Sequence, residues 1–523
     1  MPVFYNPFIH QLDELAELFA PGCAWAFAGL FWAPAGCPSL RPGLNVCLHG
    51  VDEGHNRVHP MPRSVLDSLP PQIHGGHLPE VVRLLSESTV KAVVLDDDPT
   101  GTQTVHGIDV LAGWSVPALA EALADPGPCF FILTNSRSMA GPRAAEVNRE
   151  IVSNLLEASR LTGREFALVS RSDSTLRGHF AMELEALRQG LGRPVDGVVV
   201  MPAFFEGGRY TVDNVHYVAE GDSLVPAAQT EFARDTTFGY SRSDLREWIE
   251  EKTGGAVRAS DVAAVSIQTL RRPDAAERAR DLLMGLPRGA HVIVNAADYG
   301  DAEAFVHGLL LAEAAGKRYL FRTAASFVRV RAGLGARPLL AASEYCEAGR
   351  QGGLVVAGSY TARTTAQLES LLALPGTAPV EVRVDRLASG VSRRLETARA
   401  SAMAQEAVAA GRHAVVYTSR ALESALGRAG DLQAGRVVSD TLVDIVRSLG
   451  ARPRFTIAKG GITSSDIATK GLGMRRARVL GQAAPGVPVW LLGPESRFPG
   501  MKFVVWPGNV GGPNDLRDLV GLA

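Results

Sequence analysis

Three adjacent carboxylates, Asp96-Asp97-Asp98, followed by Pro99-Thr100-Gly101-Thr102, stand directly after the β-branched run Val90–Leu95. Neighbouring carboxylates repel unless a cation, a donor or a shared proton relieves them, and the carboxyl end of a strand is where α/β sheets bind ligands. The run therefore marks a site candidate; its bland alternative is an acidic turn capping the next element. A second run, Arg171-Ser172-Asp173-Ser174-Thr175-Leu176-Arg177-Gly178-His179, again follows a predicted strand and precedes a helix. Its hydroxyls, the free amides of a helix start and the planar fork of Arg177 describe an anion site, against the plainer possibility of a cap beside a surface arginine. Thr134-Asn135-Ser136-Arg137 and Pro202-Ala203 with Gly207-Gly208-Arg209 end two more strands. Four polar loops at one sheet edge suit a polyol bearing a carboxylate, because hydroxyls need many hydrogen-bond partners and the carboxylate needs arginine.

The second half carries small residues at its strand ends. They are Gly358-Ser359-Tyr360-Thr361, Lys459-Gly460-Gly461-Ile462-Thr463-Ser464-Ser465 and Gly508-Asn509-Val510-Gly511-Gly512. Glycine lets a backbone approach a phosphate closely, and helix starts beyond such loops offer amides and a positive dipole, so the three together read as a nucleotide cradle. Neither a P-loop nor a G-x-G-x-x-G string is present.

Stepwise alternation of short apolar runs with amphipathic stretches positions these loops and predicts an α/β fold. Strands are expected at Val90–Leu95, Cys129–Leu133, Ala167–Ser170, Val198–Met201 and His291–Asn295, with helices at Arg143–Arg160, Phe180–Leu191, Ser243–Thr253 and Ala302–Ala315. A second series has strands at Leu354–Ala357, Val380–Val384, Ala414–Tyr417, Phe455–Ala458, Pro488–Leu491 and Phe503–Trp506, with helices near Thr364–Leu374, Ser392–Ala410 and Ser439–Leu449. The Gly/Ala-rich stretch Ala332–Gly353 separates them. The expected architecture is two α/β domains with central, largely parallel sheets and a cleft between them: an N-terminal extension over residues 1–88, one domain over 89–335 and another over 350–523.

At 523 residues, with 46% apolar and 21% charged residues and a net charge of −2, the chain has the composition of a multidomain globular protein without the basic footprint of a nucleic-acid binder. Its five cysteines, Cys23, Cys37, Cys47, Cys129 and Cys346, show no C-x-x-C spacing, which fits a reducing cytoplasm. The uncharged run Leu18–Leu40 is broken by Pro21, Pro34 and Pro38 and preceded by acidic residues, so it fits a membrane span or a signal peptide poorly.

Taken in order, the motifs resemble those of the four-carbon acid sugar kinase family. The matching segments are Asp97-Asp98-Pro99-Thr100-Gly101, Asp173-Ser174-Thr175-Leu176-Arg177-Gly178, Gly208-Arg209, Gly358-Ser359, Gly460-Gly461-Ile462-Thr463, Ala484-Pro485-Gly486-Val487-Pro488 and Gly508-Asn509-Val510-Gly511. The resemblance spans residues 90–523. It implies an N-terminal sugar-acid-binding domain, a C-terminal nucleotide-binding domain and transfer of the ATP γ-phosphate to a hydroxyl of a small acid such as threonate, erythronate or a 3-oxo-tetronate. On this view Asp97 and Asp98 are catalytic; Arg137, Asp173, Ser174, Arg177 and Arg209 serve the acid; and Ser359, Lys459, Gly460, Gly461, Ile462, Thr463 and Gly508 serve ATP, with Mg²⁺ as companion ion and no metal ligand named. A cytoplasmic enzyme binding small molecules, not nucleic acid or membrane, and compatible with a homodimer, is the expectation. Thr102-Gln103-Thr104 departs from the family's Ala and following Asp, and Ile462 stands where many members have Glu.

Two rivals remain at this stage. Val93-Val94-Leu95-Asp96-Asp97-Asp98-Pro99-Thr100 also fits the nucleophile motif of haloacid-dehalogenase-type phosphatases, with Asp96 and Asp98 in the chemical roles, although the six lysines supply no convincing partner. A non-catalytic sugar-acid or nucleotide sensor is the other.

Overall fold

The computed structural model describes residues 58–72, 76–359, 361–419, 432–508 and 510–523. The predicted features in residues 1–57, including the Leu18–Leu40 run and three of the cysteines, lie outside these, as do Tyr360 and Asn509. Arg57–Ala523 form one compact unit.

The Val/Ile/Phe-rich runs become strands buried on both faces, as parallel sheets require. Val93, Leu95, Phe130 and Ile132 pack on one side, and Val94, Phe131, Val169 and Phe321 on the other, following the two-residue period of the pleat. Eight parallel strands run in the spatial order Ala263–Val265, Ala290–Val294, Gly197–Met201, Tyr319–Thr323, Glu165–Arg171, Val90–Asp96, Cys129–Leu133 and Asp109–Leu111. Helices Gly141–Thr162, Phe180–Leu191, Ala275–Gly285 and Tyr299–Ala314 provide crossovers.

The second series does not form a detached sheet. Arg476–Ala484 pairs antiparallel with Asp109–Leu111 and passes through Val487–Leu492 to Lys502–Trp506. Thr456–Lys459, Leu354–Ala357, His413–Thr418 and Thr377–Val382 then continue in parallel, giving fifteen strands in all among the described residues. The α/β class with largely parallel strands is thus present, as one sheet shared by both halves.

A smaller antiparallel sheet joins Met61–Pro62, Ser223–Pro226, Val215–Glu220 and Arg209–Val212. Asp213 and Asn214, both at positive φ, make the two-residue turn between its inner strands. This hairpin fixes Arg209 at a strand start. Within the expected N-terminal extension, the Met61–Pro62 strand joins that sheet and helix His77–Glu87 packs beside Tyr299–Ala314, where His77 meets His307.

The strand order places the loops. From Val90–Asp96 the chain first moves to one side, through Asp109–Leu111 and Cys129–Leu133, and then crosses to the other side at Glu165–Arg171. Leu354–Ala357 is a second such reversal, with His413–Thr418 on one flank and Thr456–Lys459 on the other. Crevices outside the carboxyl ends of strands at these reversals are where open α/β sheets bind ligands.

Candidate functional site

At the first reversal Asp97 is nearly saturated. Arg137 Nη2 and Nε donate to its two oxygens at 2.6 and 3.1 Å, and Ser172 Oγ donates at 2.8 Å. Asp98 is less engaged: its Oδ1 accepts from Thr100 N at 2.9 Å, and its Oδ2 lies 3.6 Å from Arg137 Nη1. A Cβ on Gly461 would collide with this same Oδ2. The acidic loop of the first half therefore lies directly against the glycine loop of the second. Asn135 Nδ2 on Ser465 Oγ at 2.5 Å, and Trp490 Nε1 on Thr102 Oγ1 at 2.9 Å, hold the same contact.

Asp96 is different again. It is 1% exposed, it meets Arg171 at 3.2 Å, and its Oδ2 has no partner among the described residues. Burial first, and then repulsion from Asp97 and Asp98, push its carboxyl up to about 8 against the pull of Arg171. Gly101 covers it so closely that a Cβ would overlap the carboxylate. A buried, mostly protonated acid beneath a turn has neither the charge nor the access that a phosphatase nucleophile needs.

In the third loop Asp173 accepts from Thr175 and from Arg177 Nε, the latter at 2.7 Å. Burial pushes the Asp173 carboxyl upward, but Arg177 and Arg137 outweigh it and hold the group far below the usual range. Ser174 is buried and offers its carbonyl to His216 Nε2 at 2.7 Å. Phe232 carries both guanidiniums of this region, Arg177 at 5.1 Å and Arg209 at 5.8 Å from its ring centre. Arg177 is neutralised by Asp173. Arg209, 8% exposed, bonds only the Gly207 carbonyl among the described residues, and its Nε has no partner. Leaving a buried donor unpaired is costly, so Arg209 is built to receive an acceptor.

The second-half loops meet one another. Gly358 packs against Thr463, where a Cβ would stand 2.8 Å from the hydroxyl, and Gly460, at φ 104°, faces both Thr463 and Ser359. Thr361 caps helix Ala362–Leu372. From that helix Gln367 and Arg363 reach the third loop, Gln367 Nε2 to Gly512 O at 2.8 Å and Arg363 Nη1 to Gly511 O at 3.0 Å. Lys459 is fully buried, donates among the described residues only a long 3.4 Å bond to Pro507 O, and is pushed down to about 7 by burial and by the charge of Arg363. Ile462 projects 59% exposed at the rim, and among the described residues nothing stands within 4 Å of a Cβ built on Gly508.

The sequence-derived residues thus fall into two adjoining groups. Asp97, Asp98, Arg137, Asp173, Ser174, Arg177 and Arg209 gather in the first half, and Ser359, Lys459, Gly460, Gly461, Ile462, Thr463 and Gly508 in the second. Phe232 and Arg363 were not anticipated. Phe232 lies in an irregular stretch without a motif, whereas Arg363 did carry a signal, a cation in the first turn of a helix, where the dipole disfavours it.

Two family models match the chain. A model described as a sugar-binding N-terminal domain matches residues 92–331, and one described as a nucleotide-binding C-terminal domain matches residues 354–516. The chain belongs to the four-carbon acid sugar kinase family. This family member is 35% identical over 160 residues to a D-threonate kinase of Bordetella bronchiseptica, covering 29% of this chain and 37% of that one. It is 30% identical over 153 residues to a D-erythronate kinase of Heliobacterium modesticaldum, covering 27% and 32%. The matches thus span about a third of each relative's length.

Two solved structures share the fold of this kinase-family chain at 17% identity. One is a Salmonella typhimurium LT2 protein described as a candidate tRNA synthase, with TM-score 0.60 over 83% of this chain and 98% of that one. The other is a Haemophilus influenzae protein, with TM-score 0.55 over 82% and 99%. Among the described residues no helix is long and apolar enough to cross a membrane.

Proposed function

We propose that the chain is a kinase that transfers the γ-phosphate of ATP to a hydroxyl of a four-carbon hydroxy acid of the threonate or erythronate type. The observation that carries this is the contact of Asp98 with Gly461, a carboxylate of the first half against a glycine loop of the second, which supports reading the two as acid-binding and phosphate-binding parts of one site. Phosphoryl transfer depends mainly on positioning and charge neutralisation. Arg209 takes the acid's carboxylate, with Arg177 and Phe232 setting its orientation. Arg137 fixes Asp97, and Asp97 in turn fixes the loop. Asp98 orients the acceptor hydroxyl and takes its proton as the new O–P bond forms and the bond from the γ-phosphorus to the bridging oxygen breaks, leaving ADP. The glycine loops and Lys459 hold the phosphates.

Mg²⁺ bound by nucleotide needs only one or two protein carboxylates beside phosphates and water. Asp98, whose Oδ1 accepts from Thr100 N and whose Oδ2 lies 3.6 Å from Arg137, is the less engaged carboxylate that would hold such an ion. When bound it supplies charge neutralisation at the γ-phosphate.

The test is ADP release across a panel of four-carbon acids, run beside phosphate release from phosphoesters. Acid-dependent ADP release is expected, and Asp98→Asn should lower kcat by ~10²–10⁴-fold with ADP affinity retained. Unaltered kcat in that variant, or phosphate release in place of ADP release, would overturn the assignment.

A further inference from the structure

Arg209, Arg363 and Lys459 donate to the backbone carbonyls of Gly207, Gly511 and Pro507 and, among the described residues, to no carboxylate. Two of them are buried, Arg209 at 8% and Lys459 at 0% exposure. They come from different halves, yet their loops adjoin. A Cβ on Gly486 would stand 3.3 Å from Phe204 and 3.5 Å from Val510, and the Phe204 ring packs directly on Gly207. Arg363 links the set, because its charge bears on both of the others. Burial is the largest cause of the lowering at each; at Arg209 Asp173 opposes it while Arg177 and then Arg363 add to it, and at Lys459 Arg363 adds to it.

Arg363 and Lys459 have no carboxylate partner among the described residues and Arg209 has chiefly the pull of Asp173, which Arg177 already engages, so the like charges repel one another, and Arg363 adds the cost of a cation at a helix start. An arrangement that unfavourable in the empty protein is suited to a multiply charged anion between its members.

We propose that Arg363 contacts the phosphoryl group in transit, between Lys459 on the nucleotide side and Arg209 on the acid side. The complementary ligand is then a phosphomonoester of a hydroxy acid, charged at both ends. This rests on the kinase assignment and adds to it a residue and a ligand class. The guanidinium would lie bidentate on the phosphoryl oxygens, a geometry that lysine cannot copy.

The experiment compares wild type, Arg363→Gln and Arg363→Lys in steady-state turnover and in calorimetric titration of inorganic phosphate in the presence of ADP. Arg363→Gln should lower kcat by ~10²-fold or more while the acid KM and ADP affinity stay within about twofold, and Arg363→Lys should recover part of the loss. Phosphate binding should weaken by roughly tenfold in Arg363→Gln. Equal loss of acid affinity, ADP affinity and kcat would show a structural role and overturn the proposal, as would undiminished phosphate binding in Arg363→Gln when the wild type does turn over. A wild type that binds phosphate through Arg363 but never releases ADP would instead overturn the kinase assignment and leave the anion seat standing.

Discussion

Neighbouring carboxylates of one tripeptide acquire three different states in this site. Asp96 is buried and held largely as the acid, Asp97 is pinned by Arg137 and Ser172, and Asp98 faces the glycine loop. Identical side chains thus differ only by what each meets. Lys459 gives a testable counterpart. Its folded-state pKa of about 7 lies below its ordinary 10.5, so between these values the unfolded chain binds more protons. Stability should therefore rise with pH from about 7 to about 10.5, by at most ~1.4 kcal/mol per pH unit from this group. Urea unfolding at pH 6.5 to 9 should show this slope in wild type and a shallower one in Lys459→Met, and ADP should flatten the wild-type slope because a bound phosphate favours the charged amine. An identical slope in the variant would remove Lys459 as its source.

At the scale of elements, the loops matter through close approach. Gly461 is needed where Asp98 crosses to the second half, and Gly101 where the Pro99–Thr102 turn covers Asp96. Neither has a positive φ, so the demand is for space and not for backbone freedom. Gly461→Ala should push the Asp98 carboxylate away and lower kcat by about 10²-fold or more, since small misplacements at a reacting centre have effects of this order. ADP affinity, measured by titration, should change far less. Equal losses in both would place the damage in the nucleotide cradle.

Taken as a whole, the molecule joins its halves by one line of strand pairing, Asp109–Leu111 with Arg476–Ala484. Asp109, 9% exposed, fastens that line by accepting from Arg476 at 2.5 and 3.0 Å and from Arg478 at 3.2 Å. Asp109→Ala takes the carboxylate from between the two arginines and leaves Arg476, among the described residues, only its pairing with Glu121. Both arginines are partly exposed, which moderates the penalty, and a loss of about 1–3 kcal/mol in chemical denaturation is expected. The junction also sets how far Asp98 stands from Gly461, so kcat should fall beyond what the stability loss explains. Wild-type kcat in the folded variant would show that the two halves are positioned by other contacts.

Much of the site was legible in the chain itself. The Val90–Leu95 run must be a buried strand, the acidic triplet must end it, and Asp173 to Gly178 and the glycine loops stand at strand ends for the same reason; local patterning and turn chemistry decide all of these. Helix Phe180–Leu191 and strand Cys129–Leu133 have the bounds that periodicity gives. The short strands Asp109–Leu111 and Ala263–Val265, Tyr319–Thr323, the Arg209–Glu220 hairpin and the long Arg476–Ala484 strand escaped it. Short or mixed segments owe their extended form to partners distant in sequence.

The roles within the acidic triplet, the burial of Arg209's unpaired donor, the place of Phe232 and Arg363, and the continuity of the sheet were decided only in three dimensions. Sequence determined which groups are available and at which strand ends they sit, because hydrophobic period and loop composition are local. Which carboxylate is buried, which arginine is neutralised and which glycine admits a neighbour depend on segments brought together from up to several hundred residues away, and burial and charge follow from that assembly alone.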